Sequence, residues 1–130
     1  MRNLIFSCMF LLSAALASAQ TGGSLESIGS ALNSGDVTAL SKFFADNVEI
    51  SIQDKEQTYP KAKAAEVIRS FFGSNHPKSF NQVHKGSSRA NSDQYCIGHL
   101  MADNGTYRVY LYLKVAGSNL LIQEMRFDKE

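Results

Sequence analysis

Three histidines and Cys96, the cysteine outside the apolar N-terminal run, are the first side chains in this sequence to weigh for metal binding or nucleophilic chemistry. His76, His84 and His99 have no carboxylate or cysteine partner at a familiar ligand spacing, so their pattern predicts no metal site and no cofactor. Cys96 stands in the apolar stretch Tyr-Cys-Ile-Gly with no histidine or basic residue beside it. We therefore expect a buried, inert thiol rather than a nucleophile.

Glu124 and Arg126 are the charged pair that could form a ligand site, and their facing depends on the turn at Gly117-Ser118. A two-residue turn points both inward, where buried charges are costly unless paired and so mark a ligand pocket, with Tyr59 and Tyr107 as companions. A loop one residue longer points both outward. We favour the outward setting because it completes an apolar core. The residues that it turns inward are Leu121, Met125 and Phe127.

The N-terminus has the pattern of a secretory signal peptide. Arg2 precedes an apolar run from Leu4 to Leu16, which closes on the small-residue motif Ala17-Ser18-Ala19. We expect residues 1–19 to be removed by cleavage near Ala19, and the protein to be exported to the periplasm or secreted. Residues 20–130 then suit one domain with one core, and no stretch is long and apolar enough to predict a membrane span.

The charge balance disfavours two kinds of partner. The chain has 13 basic and 12 acidic residues, so no broad field of one sign would attract nucleic acid or an anionic membrane surface. The partner expected from composition is therefore a small molecule or a protein, and neither is identified by the sequence.

The first half of the chain is predicted to be mainly helical. Helical spacing of apolar residues from Ser24 to Phe44 indicates one helix or two, hinged at Ser34-Gly35-Asp36, where Gly35 fits a C-cap and Asp36 an N-cap. Alternation over Val48–Gln53 predicts a half-buried strand, and Asp54-Lys55 a turn. A further helix begins at Pro60 and ends at Gly73.

From Ser79 onward the apolar period is two, which predicts an antiparallel meander. The expected strands are Ser79–Ser87, Gln94–Ala102, Thr106–Val115 and Leu120–Phe127. Helices followed by strands indicate an α+β domain, in which the helices pack on one face of a curved antiparallel sheet.

Asn104-Gly105 is a strong hairpin signal, and a two-residue turn there separates the two faces of the sheet. One face is apolar and suits the helices. The other face is left uncovered, and its members are Tyr95, Ile97, His99, Arg108, Tyr110 and Tyr112. Large amphipathic side chains are typical of interface cores, so we interpret this face as a dimer or partner surface. A solvated sheet face and a ligand groove are the alternatives.

Two stretches carry a resemblance to known proteins. "ALNSGD" followed by "FFADNVEIS" resembles the opening of the nuclear-transport-factor-2-like (cystatin-like) superfamily, a cone-shaped roll. With "NGTYRVYLYLK" and "NLLIQEMRFDKE" near the end, the chain is similar to the secreted bacterial proteins grouped as domain of unknown function 4783. That resemblance implies the fold and carries no activity.

Ketosteroid isomerase, a member of the same superfamily, offers a test of the enzyme interpretation. The resemblance implies a carboxylate base where this chain has Ile50, an oxyanion tyrosine where it has Ile28, and a protonated acid on Thr106–Val115, which contains no Asp or Glu. Enolate chemistry needs a base and oxyanion donors. The isomerase mechanism is therefore not expected.

Two classes of function stay open after the sequence. The first is an exported, non-catalytic binding or interaction domain that uses the cone cavity or the aromatic sheet face. The second is a small cone-fold enzyme of isomerase, dehydratase or hydrolase type, with an inward Glu124 and tyrosines in its pocket. An open cavity with a buried carboxylate favours the enzyme, and a filled cone favours the binding domain.

Overall fold

The structure, a computed structural model, describes residues 21–88 and 93–130, with no description of the side chains of residues 21–23. The predicted signal peptide lies outside this part of the chain. The elements are α1 (Thr21–Ser34), α2 (Val37–Ser41), β1 (Phe44–Ile52), β2 (Lys55–Pro60), α3 (Lys61–Ser74), β3 (Pro77–Ser87), β4 (Gln94–Ala102), β5 (Gly105–Ala116) and β6 (Asn119–Lys129). No helix in the described ranges is long and apolar enough to cross a membrane.

Six strands form one sheet in the order β2-β1-β6-β5-β4-β3. The last four strands are the predicted antiparallel meander, β2 pairs antiparallel with β1, and β1 lies parallel to β6. The α+β prediction is confirmed, while β2 was not predicted as a strand. Its first four residues are all exposed, so it lacks the alternation by which half-buried strands are recognised.

The break between α1 and α2 is built by the two residues predicted for it. Gly35 has φ 68°, the left-handed conformation that favours glycine after a helix. Asp36 is the N-cap of α2, and its carboxylate accepts a hydrogen bond from the Ala39 backbone N–H at 3.0 Å. α2 ends at Ser41, and Phe44 is already the first residue of β1.

Two predicted turns are displaced by one residue. The turn after β1 is Gln53-Asp54, where both residues have positive φ, as a type I′ hairpin requires. The turn between β4 and β5 is Asp103-Asn104, because Ala102 pairs with Gly105 and Gly105 alone takes a positive φ at this turn. A two-residue turn at Asn104-Gly105 would pair Ala102 with Tyr107, so the predicted register was wrong by two positions, which leaves every side chain on its predicted face.

A β-bulge in β6 decides which residues of that strand face the core. The turn at Gly117-Ser118 has two residues, yet Leu113 pairs with Ile122 while Tyr112 pairs with Glu124, so Gln123 is an extra residue. Before the bulge the buried side chains are Leu120 and Ile122, and after it they are Met125 and Phe127. The expectation that Leu121 faces the core was wrong, because the extra residue lies within the strand and not in the turn.

The core lies between the helices and the inner face of the sheet. The interior of the cone is filled: Ile28, Ile50, Leu111 and Leu113 are each at most 2% exposed. Phe71 and Phe72 of α3 pack against Phe127, with ring centroids 4.9 and 6.1 Å apart. The space in which an enzyme of this shape would hold a substrate is therefore occupied by aliphatic and aromatic side chains.

Candidate functional site

The face of the sheet that points away from the helices, called here the outer face, carries the uncovered aromatic side chains. All six residues predicted for it lie there by register, and none is buried. They are Tyr95, Ile97, His99, Arg108, Tyr110 and Tyr112. Met101, on the same face, is 54% exposed. The structure thus brings the predicted residues together on one solvent-facing surface.

Hydrogen bonds hold several of the rings on the outer face in fixed orientations. The Tyr95 hydroxyl lies 3.1 Å from His84 Nε2. The same ring crosses Gly86 so closely that an added Cβ would lie 2.4 Å from the tyrosine oxygen. Tyr112 donates a hydrogen bond to Asp93 Oδ2 at 2.5 Å, and His99 Nδ1 is 2.9 Å from Glu130 Oε1. These contacts fix ring orientations while leaving area exposed.

Glu124 and Arg126 lie on the outer face, in the orientation that the sequence favoured. Glu124 Oε1 is 3.8 Å from Arg126 Nη1, and the side chains are 22% and 40% exposed. With Arg108, Tyr110 and Asp128 they line a basin of about 430 Å³. Burial and the negative charge of Glu124 raise the pKa of Tyr110, and Arg126 opposes this rise.

Tyr59 and Tyr107 do not join Glu124 and Arg126. Tyr107 is on the inner face, 3% exposed, and its hydroxyl donates to Asn75 Oδ1 at 2.7 Å. Tyr59 pairs with the buried Val48 at the edge of the sheet and is packed against the core. The inward alternative, a pocket shared by all four residues, is wrong because the bulge in β6 turns its two charges to the other side of the sheet.

Three glutamates converge at the β2 side of the outer face, and we call them the glutamate cluster: Glu49, Glu56 and Glu124. Carboxylate oxygens from the three side chains lie within 4.8 Å of one another. Glu49 pairs directly with Glu124 across the parallel strands, and Glu56 is the cross-strand partner of Ser51, two residues from Glu49. Sheet register therefore places the three side chains on one face within reach of each other.

Like charges at this distance disfavour full ionisation of the glutamate cluster. A hydrogen bond shared with the Glu56 carboxyl raises the pKa of Glu49, burial and the negative charges of Glu124 and Glu56 act in the same direction, and Arg126 opposes them. Such a group of carboxylates can share a proton, or it can bind a cation that offsets the repulsion.

Ser51 lies at the base of the glutamate cluster. It is 1% exposed, although its side chain is on the outer face, directly opposite Glu56 on one side and Arg126 on the other. Its hydroxyl is the one buried side-chain oxygen or nitrogen without a hydrogen-bond partner in the part of the chain that the structure describes. A buried hydroxyl in this condition is costly and calls for a specific explanation.

Sequence reasoning missed the glutamate cluster as a group. The alternation in β1 predicted that Glu49 faces away from the core, but its neighbours come from β2, which was not predicted, and from the parallel pairing of β1 with β6. Histidine and cysteine spacing, by which metal sites are recognised in a sequence, does not reveal carboxylates that come from different strands. Three glutamates separated by 7 and 68 positions have no local signature.

Other predicted positions are occupied as the core requires. Ile28 and Ile50, at the places where the resemblance implied isomerase groups, are 0% and 2% exposed. Cys96 is 1% exposed, and burial raises the pKa of its thiol to about 11.

A second depression of about 430 Å³ runs along α3 as far as Phe71 and Ile52, and its charged residues Lys63 and Glu66 pair with each other at 3.3 Å.

Comparison with known proteins gives a family and a fold. The profile of DUF4783, a domain of unknown function, matches residues 25–128. A DUF4783 family protein from Bacteroides uniformis is 30% identical with a TM-score of 0.75, over 81% of this chain and 95% of that one. Another from Bacteroides ovatus is 32% identical with a TM-score of 0.75, over 80% and 93%. No curated protein matches the chain.

More distant structures share the fold alone. A candidate ketosteroid isomerase from Kribbella flavida is 10% identical with a TM-score of 0.59, over 85% of this chain and 78% of that one. The architecture is therefore that of the nuclear-transport-factor-2-like fold, which hosts enzymes and other proteins alike.

Proposed function

Since the chain belongs to the DUF4783 family, whose function is unknown, we propose its role from the geometry: it is an exported, non-catalytic binding domain whose recognition surface is the outer face of the sheet. Export is supported by the signal-peptide pattern of residues 1–19. The main support for placing recognition on the outer face is that the cone is filled, whereas the aromatic side chains of the outer face are uncovered.

The filled cone argues against catalysis inside the fold. Ile28 and Ile50 supply neither a base nor an oxyanion donor, and the volume beneath the sheet is packed with apolar side chains. The alternative of a small enzyme depends on Glu124 acting with Tyr59 and Tyr107. It loses support because those residues are divided between the two faces of the sheet.

The outer face has the composition expected of a protein interface. Its half-exposed tyrosines are held by hydrogen bonds, so they offer contact area at a low cost in conformational entropy. Met101 and Ile97 add apolar area between them. The basin beside Tyr110 is a depression in this surface, and a side chain of the partner can fit into it.

We take the partner to be a second copy of this chain, because the outer face carries charges of both signs on the neighbouring strands β5 and β6. Glu49, Glu56 and Glu124 lie on β1, β2 and β6, whereas Arg108 and Lys114 lie on the adjacent strand β5. A two-fold axis parallel to the strands stacks the first three strands of one copy over the last three of the other. In this arrangement β5 of one copy faces β6 of the other, so Arg108 lies over the strand that carries Glu124 and Asp128, beside the tyrosines of β5.

Sedimentation equilibrium of the purified protein, in EDTA and at moderate salt, tests this proposal. We expect a dimer, and we expect Tyr110→Asp to weaken it by at least about 2 kcal/mol, roughly 30-fold, as for a central interface tyrosine. Ala62→Asp is the matched control: it places the same charge at an exposed apolar position on α3, on the opposite side of the sheet, and should leave the dimer intact.

Two results would contradict the proposal. One is a wild-type monomer at about 1 mM, where even an interface worth about 4 kcal/mol would associate. The other is a dimer that Tyr110→Asp leaves unchanged while the far-ultraviolet circular dichroism of the variant remains that of the wild type.

A further inference from the structure

The glutamate cluster has the dimensions of a calcium coordination shell. Calcium binds oxygens at 2.3–2.6 Å, so ligands on opposite sides of the ion are separated by about 5 Å. Oxygens of Glu49, Glu56 and Glu124 lie within 4.8 Å of one another. Magnesium, at 2.0–2.1 Å, limits that separation to about 4.2 Å and needs near-ideal octahedral geometry. Oxygens within 4.8 Å of one another can therefore share a calcium ion without movement of the strands, and the flexible coordination of calcium tolerates such a site better than the strict geometry of magnesium.

Ser51 is a second and independent indication of a ligand at this place. Its hydroxyl is buried and has no hydrogen-bond partner in the described residues, although the side chain shares the outer face with the glutamate cluster. The strand pairings put Glu56 directly opposite Ser51, and Glu49 is two residues away on the same face. A bound cation, or a water in its shell, would give this oxygen the partner that the protein does not provide.

We propose that the glutamate cluster, with the Ser51 oxygen at its base, is a calcium-binding site. This inference goes beyond the proposed function, since it assigns a ligand to one chain regardless of whether the outer face pairs with a second copy. Three carboxylates and a hydroxyl supply four oxygens, and water completes the six to eight ligands on the solvent side, where Glu56 is exposed.

Arg126 does not block the site. Its guanidinium Nη1 is 3.8 Å from Glu124 Oε1, which is an ion pair but is longer than a hydrogen bond. The Arg126 side chain is 40% exposed, so screening by water weakens this attraction. A divalent ion at direct coordination distance competes well with such a contact. Asp128, which lines the same basin as Arg126, is an alternative partner for the displaced guanidinium.

Isothermal titration calorimetry of the EDTA-treated protein with calcium chloride at neutral pH and 150 mM NaCl is the test. We expect one calcium per chain with a dissociation constant of about 10⁻⁴ to 10⁻³ M, the range of extracellular calcium modules, and binding of magnesium at least tenfold weaker. Absence of calcium binding at 10 mM would overturn the proposal.

Variants locate the bound ion. Glu56→Gln removes a charge from an exposed position on the edge strand and should weaken calcium binding at least tenfold. Glu66→Gln, the same change at an exposed position on α3, should leave it unchanged. Calcium binding that is equal in both variants and the wild type, or lost equally in both, would refute the assignment to the glutamate cluster.

Ser51→Ala tests the buried hydroxyl separately, and it should weaken calcium binding several-fold while leaving one site per chain. An affinity equal to that of the wild type would remove Ser51 from the site. Self-association is measured in EDTA and calcium binding on dilute protein, so failure of either proposal is distinguishable from failure of the other.

Discussion

Ser51→Ala should stabilise the protein in the absence of calcium, which is unusual for a change at a fully buried position. The Ser51 hydroxyl is removed from water without a hydrogen bond to replace the lost one. An unsatisfied buried group of this kind costs about 1–3 kcal/mol. Alanine removes that cost, and the small void that it leaves costs less than the roughly 0.8 kcal/mol of a buried methylene.

The net expectation is a gain of about 1 kcal/mol in the free energy of unfolding. For a domain of this size that corresponds to a rise of about 4 °C in Tm. Urea unfolding followed by circular dichroism in EDTA measures the first quantity, and differential scanning calorimetry the second. Ser41→Ala is the matched control with the opposite sign, because the Ser41 hydroxyl donates to the Thr38 carbonyl oxygen at 2.9 Å and its removal should cost up to about 1 kcal/mol.

A loss of stability of 1 kcal/mol or more in Ser51→Ala would refute this reasoning, because it would mean that the hydroxyl is satisfied in solution. Calcium adds a second comparison. Saturating calcium should stabilise the wild type more than the variant, so the difference between them should narrow or reverse.

Two further changes probe the electrostatics and the core. The pKa of Glu49 is raised in the folded protein, so its stabilising contribution is present below its ordinary pKa near 4.5 and is lost as pH rises through the raised value. Glu49→Gln should therefore unfold at a higher urea concentration than the wild type at pH 7 in EDTA and at the same concentration near pH 4; a difference that persists at pH 4 would contradict the charge explanation. Tyr107→Phe removes the 2.7 Å hydrogen bond to Asn75 Oδ1 and should lower the free energy of unfolding by about 1 kcal/mol, and an unchanged urea midpoint would show that this bond adds nothing.

The sequence predicted those features of the fold that local patterns determine. Gly35 and Asp36 marked the break between α1 and α2 because a positive φ and a side-chain cap are properties of single residues. The four strands of the meander followed from apolar alternation. The turn between β4 and β5 was misplaced because Asn104 does not take the positive φ that a type I′ turn demands, and Gly105 follows the turn instead.

The candidate site was harder to predict because it depends on long-range pairing. Glu49 and Glu124 meet through a parallel contact between strands that are distant in the chain, and Glu56 belongs to a strand too polar to be recognised. The outer aromatic face was easier to predict. Side chains alternate between the two faces of a strand, so an error of two residues in the register left each of them on the correct face. Sequence patterns could not show which strands that are distant in the chain pair with each other in the sheet.

The glutamate cluster depends on the bulge at Gln123 as well as on the three glutamates themselves, because the bulge decides which face of the sheet Glu124 occupies. If β6 kept all its residues but paired regularly after Ile122, without the bulge, Glu124 would turn to the core side and Met125 would come out beside Glu49. Deleting Gln123 itself would instead leave a regular strand with Glu124 still opposite Tyr112 on the outer face. Relatives that retain all three glutamates and the same number of residues between the turn and Glu124, but lack the bulge, would be expected to lack the site.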